Sequence, residues 1–149
     1  MADEFRNVKI SVEDRANTQL AASTTLQFAG IELDTDDLTE WVAIDVLGES
    51  PRPTRLGERF EFWTVQANCF AVTGPGGEST HRVWELADLV RAAFNQYTLA
   101  VKDWSQAAPE PTLFYLRFAE AQVTPIDPPK GAGKWLQQVN VSFEAHAIT

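Results

Sequence analysis

The stretch ERFEFWTVQANCFAV, residues 58–72, decides how this chain is read. It is long, rich in aromatic and β-branched residues, and free of Pro and Gly, which predicts a strand. Side chains alternate across a strand, so two faces can be written down at once. Glu61, Trp63, Val65, Ala67, Cys69 and Ala71 share one face, which is apolar after Glu61. Phe60, Phe62, Thr64, Gln66, Asn68 and Phe70 share the other, aromatic at both ends and polar between. The first face suits a covering helix. The second suits another sheet, a second subunit or a folded-over loop.

The covering helix lies just downstream. TGPGGES (73–79) is a turn-forming stretch without the Lys-Ser/Thr of a nucleotide loop or the spacing of a dinucleotide loop. From about Ser79 to Tyr97, the residues Val83, Leu86, Ala87, Val90, Ala93, Phe94 and Tyr97 form one helical stripe wide enough to cover a sheet. Trp84 and Leu89 sit at its edge, and Glu85, Asp88 and Arg91 face outward. Ser79 or Thr80 caps it, and His81 in its first turn reads as a surface residue.

Upstream, TEWVAIDVLG (39–48) is a strand with Val42, Ile44 and Val46 on one side and Trp41, Ala43 and Asp45 on the other. Pro51 and Pro53 then argue against a central strand, so Glu49–Arg59 reads as a loop. Residues 40–47 and 58–72 form a hairpin. Phe5, Val8, Val12, Ala16 and Leu20 predict a helix over about 3–17, and the polar run that follows reads as extended chain anchored by Leu26, Phe28, Ile31 and Leu33.

Downstream, TLAVKDWSQAAPEPT (98–112) reads as a connector. Residues 113–126 form a strand whose pattern breaks near Ala119, the sign of a bulge or a sheet margin. DPPKGAGK (127–134) is a loop. The last strand, 134–147, puts Trp135, Val139, Val141, Phe143, Ala145 and Ala147 on one face and leaves the other, with Glu144 and His146, wet. It pairs with 113–126. The expected fold is therefore α+β: a mostly antiparallel four-stranded sheet packed by one long helix and an N-terminal helix, in a single domain over 1–149.

Composition bounds the function. The 149 residues are 44% hydrophobic and 22% charged, which fits one folded domain and not a disordered chain. Net charge is −9, so the surface repels a phosphate backbone and nucleic acid is not expected as the main ligand. The N-terminal MADEFRNVKIS has neither a basic nor an apolar leader region, and no window has the run of apolar residues that a membrane helix needs, so folding in the cytoplasm is expected.

No catalytic motif is present, and the expected catalytic, cofactor and metal residues are none. Cys69, the one cysteine, lies in the apolar run and reads as a buried small hydrophobe with no base beside it. His146 points outward. The acidic run Glu32, Asp34, Asp36, Asp37, Glu40 lacks the glycine and terminal glutamate of a calcium loop and reads as a solvated loop. Glu61, Glu120 and Glu144 could approach one another across a sheet, but read as rim partners of Arg59, Arg117 or Lys134.

Four stretches together, FAGIELDTDDLTEWVAIDVL (28–47), RFEFWTVQANCFAVTG (59–74), STHRVWELADLVRAAFNQ (79–96) and KWLQQVNVSFEAHAI (134–148), resemble the tail terminator proteins of long-tailed bacteriophages and related gene transfer particles. The resemblance covers about Leu26 to Thr149 and rests on the order of elements. It implies a structural virion protein at the tail–neck junction, a hexameric ring of this chain that caps the tail tube, stops its polymerisation and meets the head connector. Its partners would be copies of itself, the tail tube protein and a head completion or connector protein. DNA would pass the channel without specific binding, no membrane would be involved, and the family has no catalytic residues to transfer. Candidate contact regions are Glu49–Arg59, Lys130–Lys134 and Asp34–Glu40. A different head-to-tail completion or minor tail protein is the neighbouring reading. A small-ligand binding protein, its pocket lined by Trp63, Gln66, Asn68, Tyr115 and Trp135, is the competing class. An adaptor or immunity-type protein acting through one acidic face is a third.

Overall fold

Two amphipathic helices and seven strands make up the described residues of the computed structural model, which are 4–34, 38–53, 59–72, 80–126 and 136–148. In chain order they are α1 (Glu4–Leu20), β1 (Leu26–Phe28), β2 (Glu40–Pro53), β3 (Arg59–Val72), α2 (Thr80–Phe94), β4 (Thr98–Lys102), β5 (Thr112–Phe118), β6 (Gln122–Ile126) and β7 (Leu136–Ile148). The strands form one sheet in the order β1-β2-β3-β7-β5-β4, with β6 also on β7. β1 joins β2 in parallel and every other pair is antiparallel, so the sheet is mixed.

The expected four-stranded, mostly antiparallel sheet is thus overturned. Three differences account for it. Leu26–Phe28 pairs with Val42–Ile44 as a strand, where free extended chain was expected. Thr98–Lys102 pairs with β5, where a connector was expected. The single strand expected over 113–126 is two, β5 and β6, separated at Ala119–Ala121. There the register against β7 advances by one residue, from Arg117 opposite His146 to Gln122 opposite Ser142. One extra residue in a ladder exchanges the faces. Accordingly Leu116 and Phe118 point to the core before the break, and Ala121 and Val123 pack against it afterwards. The break is held by Ala119 N–H to Glu144 O at 2.9 Å and by Ala121 N–H to Asn95 Oδ1 at 2.7 Å.

The expected Glu49–Arg59 loop is also corrected. β2 runs on to Pro53, opposite Arg59, so only 54–58 of that segment falls outside the described residues. The prolines are tolerated because β1 covers β2 only at Val42–Ile44 and leaves the outer edge of Glu49–Pro53 unpaired. β7 pairs with β3 only from Phe62 onward, so β2 and β3 extend past the sheet as a two-stranded ribbon. A kink separates ribbon from sheet at Gly48, whose φ of +111° accompanies a register shift between Val46 and Gly48. That φ suits glycine and strains any residue with a Cβ.

The core lies on one side of the sheet. Val8, Val12, Ala16 and Leu20 of α1 and Val83, Leu86, Val90, Ala93 and Phe94 of α2 pack on Trp63, Val65, Cys69, Leu116, Phe118, Val141 and Phe143. Phe94, Phe118 and Phe143 form a ring cluster with centroids 5.2–5.8 Å apart. Aromatic contacts of this kind add about 0.5–1.5 kcal/mol each beyond area burial. α2 ends at Phe94, short of the expected Tyr97, because Gln96 adopts a φ of +52°, a left-handed turn that terminates helices.

α1 contacts β1 and β2 at one sheet margin and β4 at the other. The sheet therefore curls, and α1 closes the gap between its edges. Two buried polar side chains make the closure. Asn7 Oδ1 accepts from Trp104 N–H at 3.1 Å, and Ser11 Oγ accepts from Lys102 N–H at 3.2 Å and Trp104 Nε1–H at 3.0 Å. Phe5, expected in the buried stripe, is 46% exposed and leans on Trp63 with ring centroids 5.8 Å apart.

Candidate interaction surface

With both helices on the concave side, no helix among the described residues covers the convex face over β2, β3, β7 and β5, although Trp41 on that face is only 7% exposed. The β3 faces are those read from the sequence. Trp63, Val65, Ala67, Cys69 and Ala71 are buried, whereas Phe62, Thr64, Gln66, Asn68 and Phe70 are partly exposed. In the middle of the open face Asn68 Oδ1 accepts from Asn140 Nδ2 at 2.9 Å and Gln138 Nε2 at 3.1 Å. Gln66 opposes Ser142 and Thr64 opposes Glu144.

The two ends of this face are aromatic or apolar. At one end Trp41 stacks on Phe70 with centroids 4.9 Å apart. At the other, Phe62 lies 6.3 Å from the ring of His146, and the cross-strand pair Tyr115 and Ile148 is 47% and 40% exposed, beside Leu113 at 41%. Apolar side chains on an otherwise polar sheet face mark a contact surface.

Cys69 lies on the opposite, buried face. Burial pushes its thiol up to about 12, so it stays protonated and is no nucleophile at neutral pH. Of the residues expected to line a ligand pocket, Trp63 is under α1 while Gln66, Asn68 and Tyr115 are on the open face, and Trp135 is outside the described residues. The set does not converge.

Glu120 and Glu144 do come together. With Thr64, Gln122 and Ser142 they line a hollow of about 270 Å³ at the β5–β6 break. The side chains of Glu61 and Arg59, and the whole of Lys134, lie outside the described residues. Arg117 Nη1 donates to Thr98 Oγ1 at 3.0 Å.

The acidic run is divided. Asp36 and Asp37 lie outside the described residues, as do the Lys130–Lys134 tip and the 73–79 turn. Glu40 is held by Arg82, whose Nε donates to both carboxylate oxygens at 3.0 Å and whose Nη2 stands 2.9 Å from Oε2. These bonds, with Glu85 on Nη1, raise the Arg82 pKa further. Glu40 thus ties the start of β2 to α2. Among the described residues no group of three or more His, Cys, Asp or Glu is placed to hold a metal ion.

A feature that the sequence reading missed lies on the other side of α1. A groove of about 200 Å³ runs between α1 and β4, lined by Ser11, Asp14, Arg15, Tyr97, Lys102 and Trp104 among others. Arg15 stacks on Tyr97 with its guanidinium carbon 3.8 Å from the ring centroid, and its Nε donates to Ala93 O at 3.0 Å. Lys102 Nζ stands 5.9 Å from the Trp104 ring. The alternation in LAVK was the available signal for β4.

No family model matches the sequence, and no curated protein matches it. The fold itself recurs among solved structures. One of them, a protein whose designation carries no functional description, is 11% identical with a TM-score of 0.57, over 95% of this chain and 96% of that one. At that identity the likeness is one of fold alone. No helix among the described residues is long and apolar enough to cross a membrane.

Proposed function

We propose that this chain is a structural assembly protein that works as a ring of identical subunits at the end of a phage-type tail tube. There it stops tube growth and offers a surface to the head connector. The observation that carries the reading is the convex sheet face that no described helix covers, polar and hydrogen-bonded at its centre and apolar at both ends. A face of this make-up gains free energy when another surface excludes water from its exposed apolar end at Leu113, Tyr115 and Ile148. The β2–β3 ribbon that extends past the sheet supplies a second element able to reach a neighbour. The resemblance of the sequence over 26–149 to tail terminator proteins is what suggests the tail tube as that neighbour. A net charge of −9 suits a channel that DNA passes without sticking.

The test is to mix the purified protein with growing tail tubes, measure tube length, and image the tube ends by electron microscopy. Light scattering gives the mass of the free protein across a concentration series. Rings of about six copies, found on tube ends and arresting growth, are expected. Tubes that elongate unchanged, with no density at their ends, would refute the proposal. Binding to the connector but not to the tube would move the chain to another head-to-tail completion role.

A further inference from the structure

The hollow between α1 and β4 is lined by hydrogen-bond donors that have no acceptor. Ser11, Asp14 and Arg15 recur at the spacing of one helix face, beside the buried stripe Val8, Val12 and Ala16, and so border the sheet where α1 meets β4. Tyr97, Lys102 and Trp104 stand on the opposite wall.

The guanidinium of Arg15 is already fixed in place. Its Nε donates to Ala93 O at 3.0 Å and its Cζ stands 3.8 Å from the centroid of the Tyr97 ring. Among the described residues its two Nη groups have no partner. Lys102 Nζ stands 5.9 Å from the Trp104 ring and likewise has no carboxylate at ion-pair distance. Ser11 Oγ uses both lone pairs, on Lys102 N–H and on Trp104 Nε1–H, which leaves its own O–H to donate. That residue is 3% exposed and lines the hollow.

Three kinds of donor, two of them cationic, call for a ligand that only accepts. A guanidinium fork matches the oxygens of a carboxylate or a phosphate two at a time, and an ammonium adds a second charge. Volume bounds the ligand. The hollow of about 200 Å³ is smaller than the sites of drug-sized ligands and corresponds to about seven water molecules. Charge bounds it too. Arg15 and Lys102, set against Asp14, the one acid lining the hollow, leave a single net positive charge in a chain whose total is −9. A small, singly charged anion fits, and a polyanion does not.

We propose that the hollow between α1 and β4 is a binding site for a compact oxyanion, a carboxylate or phosphate group on a molecule of a few heavy atoms. The Nη fork of Arg15 takes two of its oxygens, Lys102 Nζ balances its charge and Ser11 O–H donates to it. The site is complete within one chain and depends on neither a ring nor a tail tube.

The test is an NMR titration of the isotope-labelled full chain with sodium acetate and, separately, inorganic phosphate. Sodium chloride at matched ionic strength is the reference. The signals to follow are the Trp104 indole N–H and the Lys102 amide, both bonded to Ser11 Oγ. Saturable shifts with acetate or phosphate and not with chloride are expected, with a Kd on the order of 1 mM. Tighter binding of acetate identifies a carboxylate as the group the site takes, and tighter binding of phosphate a phosphoryl group. Arg15→Lys keeps the charge and removes the fork, and should weaken binding about tenfold. Lys102→Gln should weaken it by about the same factor at an unchanged melting temperature, because the backbone N–H of residue 102 keeps its bond to Ser11. Shifts that chloride reproduces, shifts that never saturate, or an Arg15→Lys chain that binds as tightly as the native one overturn the proposal. Arg15 also ties α1 to Ala93 and Tyr97, so if Arg15→Lys melts early the decision passes to Lys102→Gln, and native affinity in that variant overturns the proposal equally.

Discussion

Ser11→Ala should loosen α1 from the sheet. In the native protein one buried hydroxyl, 3% exposed, accepts from Lys102 N–H at 3.2 Å and Trp104 Nε1–H at 3.0 Å. Alanine leaves both donors without that acceptor in a partly buried site. A stranded buried donor costs about 1–3 kcal/mol, and partial access to water places the pair near the lower end, about 2 kcal/mol in total. For a domain of this size that corresponds to a fall in Tm of about 4–8 °C. Urea unfolding would measure it as a lower midpoint at unchanged m, and hydrogen exchange would show faster loss of the Lys102 amide proton. Thr18→Ala is the control on the same helix. Its hydroxyl donates only to Asp14 O in the exposed turn, so the change should stay within about 0.5 kcal/mol. A Ser11→Ala loss no larger than that of Thr18→Ala, with Lys102 exchange unchanged, would refute α1 as the clasp between the sheet edges.

Two further outcomes follow from backbone and burial. Gly48→Ala forces a Cβ onto a φ of +111°, with the Phe5 ring 3.9 Å away, and should destabilise by about 1–3 kcal/mol, read as a shifted urea midpoint. Cys69 should resist thiol reagents in the folded protein and react on unfolding, because burial holds its thiol near 12. Between its ordinary value of 9.0 and about 12 the unfolded chain sheds this proton while the native state keeps it. Stability should therefore fall with rising pH across that window, by up to about 1.4 kcal/mol per unit, and Cys69→Ala should remove that slope in urea titrations at pH 8 to 11.

The strongly periodic elements were legible from the sequence. The two faces of β3, the buried stripe of α2 and the inward face of β7 follow from alternation and helical spacing alone, and so does the burial of Cys69. What was illegible depended on partners distant in sequence. Leu26–Phe28 is a strand only because Val42–Ile44 lies beside it, and TLAVK is one only because β5 and α1 flank it. Pro51 and Pro53 were read as ending β2, yet an unpaired outer edge makes them permissible, and edge position is a property of topology. The cationic groove escaped notice because Arg15 and Lys102 meet only when α1 is docked. The open face was half legible: its aromatic ends were visible in β3, while Tyr115 and Ile148 joined it through strand order.

The position of β7 has a consequence for synthesis. It pairs with β3, β5 and β6, yet of the seven described strands it is the last to be made. α1 is in a similar position at the other end, since Asn7 and Ser11 find their partners only when Lys102 and Trp104 have been made. The nascent chain therefore carries its first helix and the β2–β3 hairpin without a core to close on. Non-local pairing of this sort slows folding and exposes strand edges to aggregation. The chain should fold in one late cooperative step after residue 148 emerges, and its yield in cells should depend on chaperones that shield it until then.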